Sequence, residues 1–141
     1  MDIQDVADKI EIYELLARYA RGVDTHDWDL WRSVFTEDAV VDYSQSGVIC
    51  GTRDEVAEFL RQAFDTIPWA THHITNIEIE LDGDRARARA MFFNPMQLPG
   101  METESSAGGY YFHDLVRTPK GWKSEHLVEQ PMWFVNKPPS P

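Results

Sequence analysis

The spacing of apolar residues changes once along this chain, near residue 69. Before that point apolar side chains recur every three or four positions, and after it they alternate. A chain that reads helix first and strand second folds as α+β, with helices laid on one face of a curved antiparallel sheet. Segment 5–24, DVADKIEIYELLARYARGVD, sets Val6, Ile10, Tyr13, Leu16, Ala17, Ala20 and Val23 along a helix, with Gly22 near its end. Segment 27–35, DWDLWRSVF, brings Trp28, Trp31, Val34 and Phe35 to one side of a short second helix capped by Asp27. AVVDYS reads as a short strand, and Thr52 with Glu55 forms the capping box of a third helix. There follow strand 69–81, a tight Asp82-Gly83-Asp84 turn, strand 85–95, a loop over 96–106, strand 107–117, the turn TPKG and strand 122–134. In RARARA the preferred reading faces the arginines to solvent and Ala86, Ala88 and Ala90 to a close helix, rather than making a phosphate-binding stripe. One domain is expected over 1–135, with 136–141 as a flexible C-terminal tail.

Composition narrows the function. With 141 residues, 43% of them apolar and 12% aromatic, the chain can build a core and line a pocket with rings. A net charge of −11 argues against nucleic acid or an anionic membrane as partner. The single cysteine, Cys50, excludes an internal disulfide and a Cys-rich metal site. The acidic, amphipathic N-terminus lacks signal-peptide character, and a cytoplasmic location is expected. No P-loop, GxGxxG, HExxH, CxxC or nucleophile-elbow pattern is present, so no cofactor and no metal are expected. What remains is a set of acid–base groups: Tyr19, Asp24, His26, Tyr43, His72, His73, Tyr110, Tyr111, His113 and His126. An imidazole oriented by a carboxylate, with phenols as donors, suits proton abstraction followed by elimination or isomerisation.

The segments ARYARGVDTHDWDLWRSVFTEDAVVDYS, THHITNIEIELDGDRARA and GGYYFHDLVRTPKGWKSEH resemble the SnoaL-like branch of the nuclear-transport-factor-2-like superfamily across nearly the whole chain. That resemblance implies a cone-shaped α+β barrel, a bent sheet around a long helix with an apolar pocket at its open end. In its residue pattern the chain resembles the group of scytalone dehydratase, bile-acid 7α-dehydratase and lindane dehydrochlorinase. This resemblance implies an Asp-His acid–base dyad at Asp24 and His72, with Tyr19 (from the pattern in YARGVD) and Tyr43 (from the Asp42-Tyr43 pair) as catalytic partners. The chain departs from those relatives near Asn94 and near His126, where a second pocket histidine and a late-strand arginine have no counterpart. Asn94 and His126, with Trp28, Trp69, Phe92 and Tyr110, complete the candidate substrate-binding set.

Strict alternation back from Ile77, Ile79 and Leu81 puts His73, not His72, on the apolar face. His72 reaches the pocket only if the strand changes sides, as a β-bulge near Thr75-Asn76 allows; His73 stays the runner-up. Tyr19 and Asp24 lie about 140° apart on a regular helix, so both reach one pocket only if the helix ends near Val23. The expected function is a cofactor-independent, dehydratase-type lyase acting on a hydrophobic cyclic or aromatic hydroxylated molecule. The alternatives are an isomerase or cyclase using the same dyad, or a non-catalytic accessory subunit. A homo-oligomer is expected, a trimer before a dimer, with strand 122–134 at the interface or its end folded as a flap over the pocket.

Overall fold

The computed structural model describes residues 1–139; the last two positions of the expected tail lie outside the described residues. The element order is α1 (Ile3–Asp24), α2 (Trp28–Ser33), β1 (Phe35–Asp42), a one-turn 3₁₀ helix (Ser44–Ser46), β2 (Cys50–Thr52), α3 (Arg53–Phe64), β3 (Trp69–Ala70), β4 (His73–Asp82), β5 (Arg85–Gln97), β6 (Ser105–Thr118) and β7 (Gly121–Val135). The helix starts follow from their caps. Asp2 with Asp5, and Thr52 with Glu55, form reciprocal capping boxes, and Asp27 accepts from the Leu30 amide at 3.0 Å.

The strands form one curled sheet in the order β2-β1-β7-β6-β5-β3, with β4 beside β3 on the same partner, β5. The sheet is a mixed one: β5, β6 and β7 form the expected antiparallel meander, but β1 runs parallel to β7. The helices fill the concave side, giving the helix-filled half-barrel expected of a cone-shaped α+β fold. Trp31, Phe35, Ile12, Leu15, Tyr111, Leu115, Trp122 and Leu127 are all fully buried there. In β5 the alanines of RARARA are buried and the three arginines exposed. Arg85 pairs with Glu125, and Arg89 lies 4.7 Å from the Tyr110 ring centre.

Three local features depart from the sequence reading. Helix α1 buries Ile12, Leu15, Leu16, Tyr19 and Val23, while Val6, Ile10 and Tyr13 are about half exposed. The helix carries two adjacent apolar stripes, and the cone takes the one that delivers Leu15 and Tyr19 to its axis. Gly22 lies near the end of α1, as the sequence reading has it, but its role is in packing. A Cβ at Gly22 would lie 2.9 Å from the Trp31 amide nitrogen, so the glycine lets α2 cross against the backbone. The chain turns instead at His26, which has a left-handed φ of 55°. Last, the end of β7 is no flap. Ala107 pairs with Phe134 and Gly108 with Trp133, the Trp133 ring covers Gly108, and the Asn136 amide donates to Thr103 and Glu104.

Among the described residues no helix is long and apolar enough to cross a membrane.

Candidate active site

The strand that was read as continuous over 69–81 is broken at Thr71-His72. Thr71 still donates to the Pro95 carbonyl, but the His72 amide is released from the sheet and donates to Asp24 Oδ2 at 2.8 Å. The His72 ring completes the contact, with Nδ1 2.6 Å from Asp24 Oδ1. One carboxylate therefore fixes both the backbone and the ring of the histidine. Asp24 ends α1, where the helix dipole disfavours an anion; the two His72 donors offset that cost. With Nδ1 held by the carboxylate, Nε2 is the ring nitrogen left for the cavity.

The bulge that His72 needs is present. The β4–β5 register shifts between Thr75 and Glu78, and Asn76 takes a left-handed φ of 52°. Ile74 and His72 thereby share a side with Ile77, Ile79 and Leu81. His73 is exposed, and its ring lies 3.3 Å from the Thr71 hydroxyl.

His72 opens onto a cavity of about 300 Å³. Its polar lining is Tyr19, Tyr43, Tyr111, Asn94 and Glu129; Val23, Val48, Phe59, Leu60, Ala63 and Phe64 form an apolar wall. Tyr19 and Tyr43 share a hydrogen bond between their hydroxyls, and Tyr111 stands edge-on to Tyr19 with ring centres 5.2 Å apart. Burial pushes all three phenols well above their ordinary range, so they stay protonated and able to donate. Burial also raises the Glu129 carboxyl, against the opposing pull of a hydrogen bond from Ser46 and of His72. Among the described residues no group of three or more His, Cys, Asp or Glu side chains is arranged to hold a metal ion.

The sequence-derived candidates divide. Asp24 and His72 touch, and Tyr19, Tyr43, His72 and Asn94 line the cavity. Phe92 lies behind the wall, stacked on Tyr111 at 4.4 Å, and Trp28 packs against Phe64 at 5.9 Å. Tyr110, Trp69 and His126 are corrected: none of them lines the cavity. Tyr110 alternates with the inward Tyr111 and so points to the outer face, under Arg89. Trp69 pairs with Gln97 and is 41% exposed. His126 lies 3.5 Å from Asp114 on the outer face, because a register shift in β7 separates it from the inward Ser124. Glu129 was missed, and Tyr111, an acid–base candidate by residue type, was not assigned to the pocket that it lines. For Glu129 the available signal was Leu127, whose inward position carries Glu129 inward by alternation.

A family described as the SnoaL-like domain matches residues 4–128. The chain belongs to the SnoaL-like family. The uncharacterised protein Rv2910c of Mycobacterium tuberculosis is 34% identical over 92% of this chain and 88% of its own. A proposed aromatic ring hydroxylase of Novosphingobium aromaticivorans is 31% identical, with a TM-score of 0.84 over 92% of each chain. A proposed scytalone dehydratase of the same species superposes with a TM-score of 0.88 over 99% of this chain and 94% of that one, at 18% identity. The hexachlorocyclohexane dehydrochlorinase LinA-type3 of Novosphingobium barchaimii gives 0.84 over 96% and 93%, at 19% identity. At such identities the last two establish the shared nuclear-transport-factor-2-like cone and no more.

Proposed function

We propose that this SnoaL-like chain is a cofactor-independent lyase that eliminates water from a hydrophobic cyclic or aromatic alcohol. The observation that carries the reading is the 2.6 Å Asp24–His72 contact beside a largely apolar cavity that also holds buried phenols. His72 Nε2 takes a proton from a carbon next to an activating group. The released electron pair forms the new double bond, the carbon–oxygen bond breaks, and the hydroxyl leaves as water with the proton that the His72 imidazolium returns. Asp24 keeps the ring in the tautomer with Nε2 free and stabilises the imidazolium that forms. Tyr19 and Tyr43 donate to oxygens that gain charge. The names of the dehydrochlorinase and dehydratase neighbours, both eliminations, support the reaction class. The aromatic ring in the hydroxylase's name supports the substrate class.

The test is a panel of cyclic and aromatic alcohols incubated with the protein in deuterated water and followed by mass spectrometry. Loss of water from a panel member supports the lyase. Deuterium uptake without loss of a leaving group would assign an isomerase or cyclase that uses the same base. On the substrate so found, His72→Ala and Asp24→Asn are each expected to cut turnover by roughly 10²–10⁴-fold. Near-wild-type turnover by a folded His72→Ala would end the dyad assignment.

A further inference from the structure

The cavity holds a carboxylate that no Lys or Arg answers. Asp24 is occupied by His72, but Glu129 contacts only the Ser46 hydroxyl, at Oε1. Among the described residues no Lys or Arg lines the cavity. Close by, the Asn94 side-chain oxygen is buried without a hydrogen-bond partner. An unpaired acidic group in an apolar pocket is costly, and the fold gains nothing visible from it. The wall facing it is aliphatic and aromatic, from Val23, Phe59, Leu60 and Phe64.

We propose that Glu129 sets the substrate class of the site: it accepts a hydrogen bond from a hydroxyl on an uncharged ring compound and turns away ring compounds that carry a carboxylate. The inference rests on the cavity beside Asp24–His72 being the substrate site. A cavity of about 300 Å³ is roughly 8 Å across if round, so a carboxylate held inside it lies near Glu129. Two like charges that close in a poorly hydrated site repel strongly. A hydroxyl, by contrast, meets complementary groups: it donates to Glu129 or Asn94 and accepts from a buried phenol. Burial, which raises the Glu129 carboxyl, reports the same poor hydration. Glu129 is thus a specificity residue, and no step of the elimination requires its proton.

The experiment uses the full chain and two probes with one ring system, 2-naphthylmethanol and 2-naphthoate, titrated by fluorescence near neutral pH. A ligand of about a dozen heavy atoms is expected to bind between roughly 10 µM and 1 mM. The wild type should favour the alcohol over the carboxylate by at least about tenfold. Glu129→Gln keeps the side-chain shape and an acceptor for Ser46, and should bring the two probes within about threefold of each other. If that variant does not fold by circular dichroism, the wild type alone decides with 2-naphthylmethylamine, whose ammonium should bind at least as tightly as the alcohol. Equal wild-type affinity for alcohol and carboxylate, an unchanged ratio in folded Glu129→Gln, or no binding of the alcohol would each overturn the proposal. Binding of the two probes is read without any turnover. A dyad that fails its turnover test therefore leaves this inference standing, and the reverse also holds.

Discussion

His113 lies in the narrow interior of the cone with its ring nitrogens unequally served. Nδ1 meets the Ser124 hydroxyl at 2.8 Å, while Nε2 is buried without a partner among Tyr19, Phe35 and Tyr111. Burial, assisted by the nearby His126, pushes the imidazole down to about 3 from its ordinary 6.5. The neutral ring is therefore the folded form, and the unfolded chain binds the extra proton first. Stability contributed by this group is complete above about pH 6.5 and is lost as pH falls toward 3, by up to ~1.4 kcal/mol per pH unit. Urea titrations between pH 4 and pH 6.5 should show that slope, and His113→Gln should flatten it; an unaltered slope would place the acid sensitivity elsewhere. Residue types were readable here in different degrees. His113 and Tyr111 stood among the acid–base candidates. Glu129 in KSEHLVEQ reads as solvated by residue type, as most such carboxylates are, and its alternation with Leu127 is the one sign that it faces inward.

At the scale of elements, one inserted residue decides which histidine meets Asp24. The bulge at Thr75–Glu78 lets Ile79 and Leu81 face the helices while His72, an odd number of residues away, does the same. Asn76 occupies the left-handed position, where a Cβ costs about 1–2 kcal/mol for most residues and little for Asn or Gly. Asn76→Val is expected to lower unfolding stability by about 1–2 kcal/mol and Asn76→Gly to stay within ~0.5 kcal/mol of wild type, both read by denaturant melts. Comparable losses in the two variants would show that the backbone there is not constrained. This bulge was legible because strict alternation and the Asp24 motif disagreed, and only an extra residue reconciles them. The β7 bulge between Ser124 and His126 produced no such conflict, so Glu129 was left out and His126 was assigned to a cavity that it does not line. The helices and hairpins were legible because caps and turn residues are local signals. The parallel β1–β7 contact was not, since it joins segments about ninety residues apart and leaves no local trace.

The whole molecule leaves apolar surface that its own helices do not cover. Phe93 and Phe112 lie on the convex side of β5 and β6, 45% and 37% exposed, and Trp133, paired with Gly108 next to Phe93, extends the strip to β7. Because β7 stays paired with β6 to its end, that strip cannot fold over the cavity of its own chain. Burying a Phe side chain stabilises by about 1.5–3 kcal/mol, and patches of this kind on monomers are small or functional. A second copy of the chain is the occupant we expect, and symmetric closure around the convex face gives a ring of two or three. The expectation from the sequence is three-fold closure before two-fold, and in either case each cone keeps its own Asp24–His72 pair. Light scattering at micromolar concentration should give a mass near three times the 16.3 kDa of the chain. Phe93→Asp with Phe112→Glu should shift it toward the single-chain mass while the Asp24–His72 contact, on the concave side, is preserved. A wild-type mass of one chain would remove the assembly and leave the convex strip without an occupant.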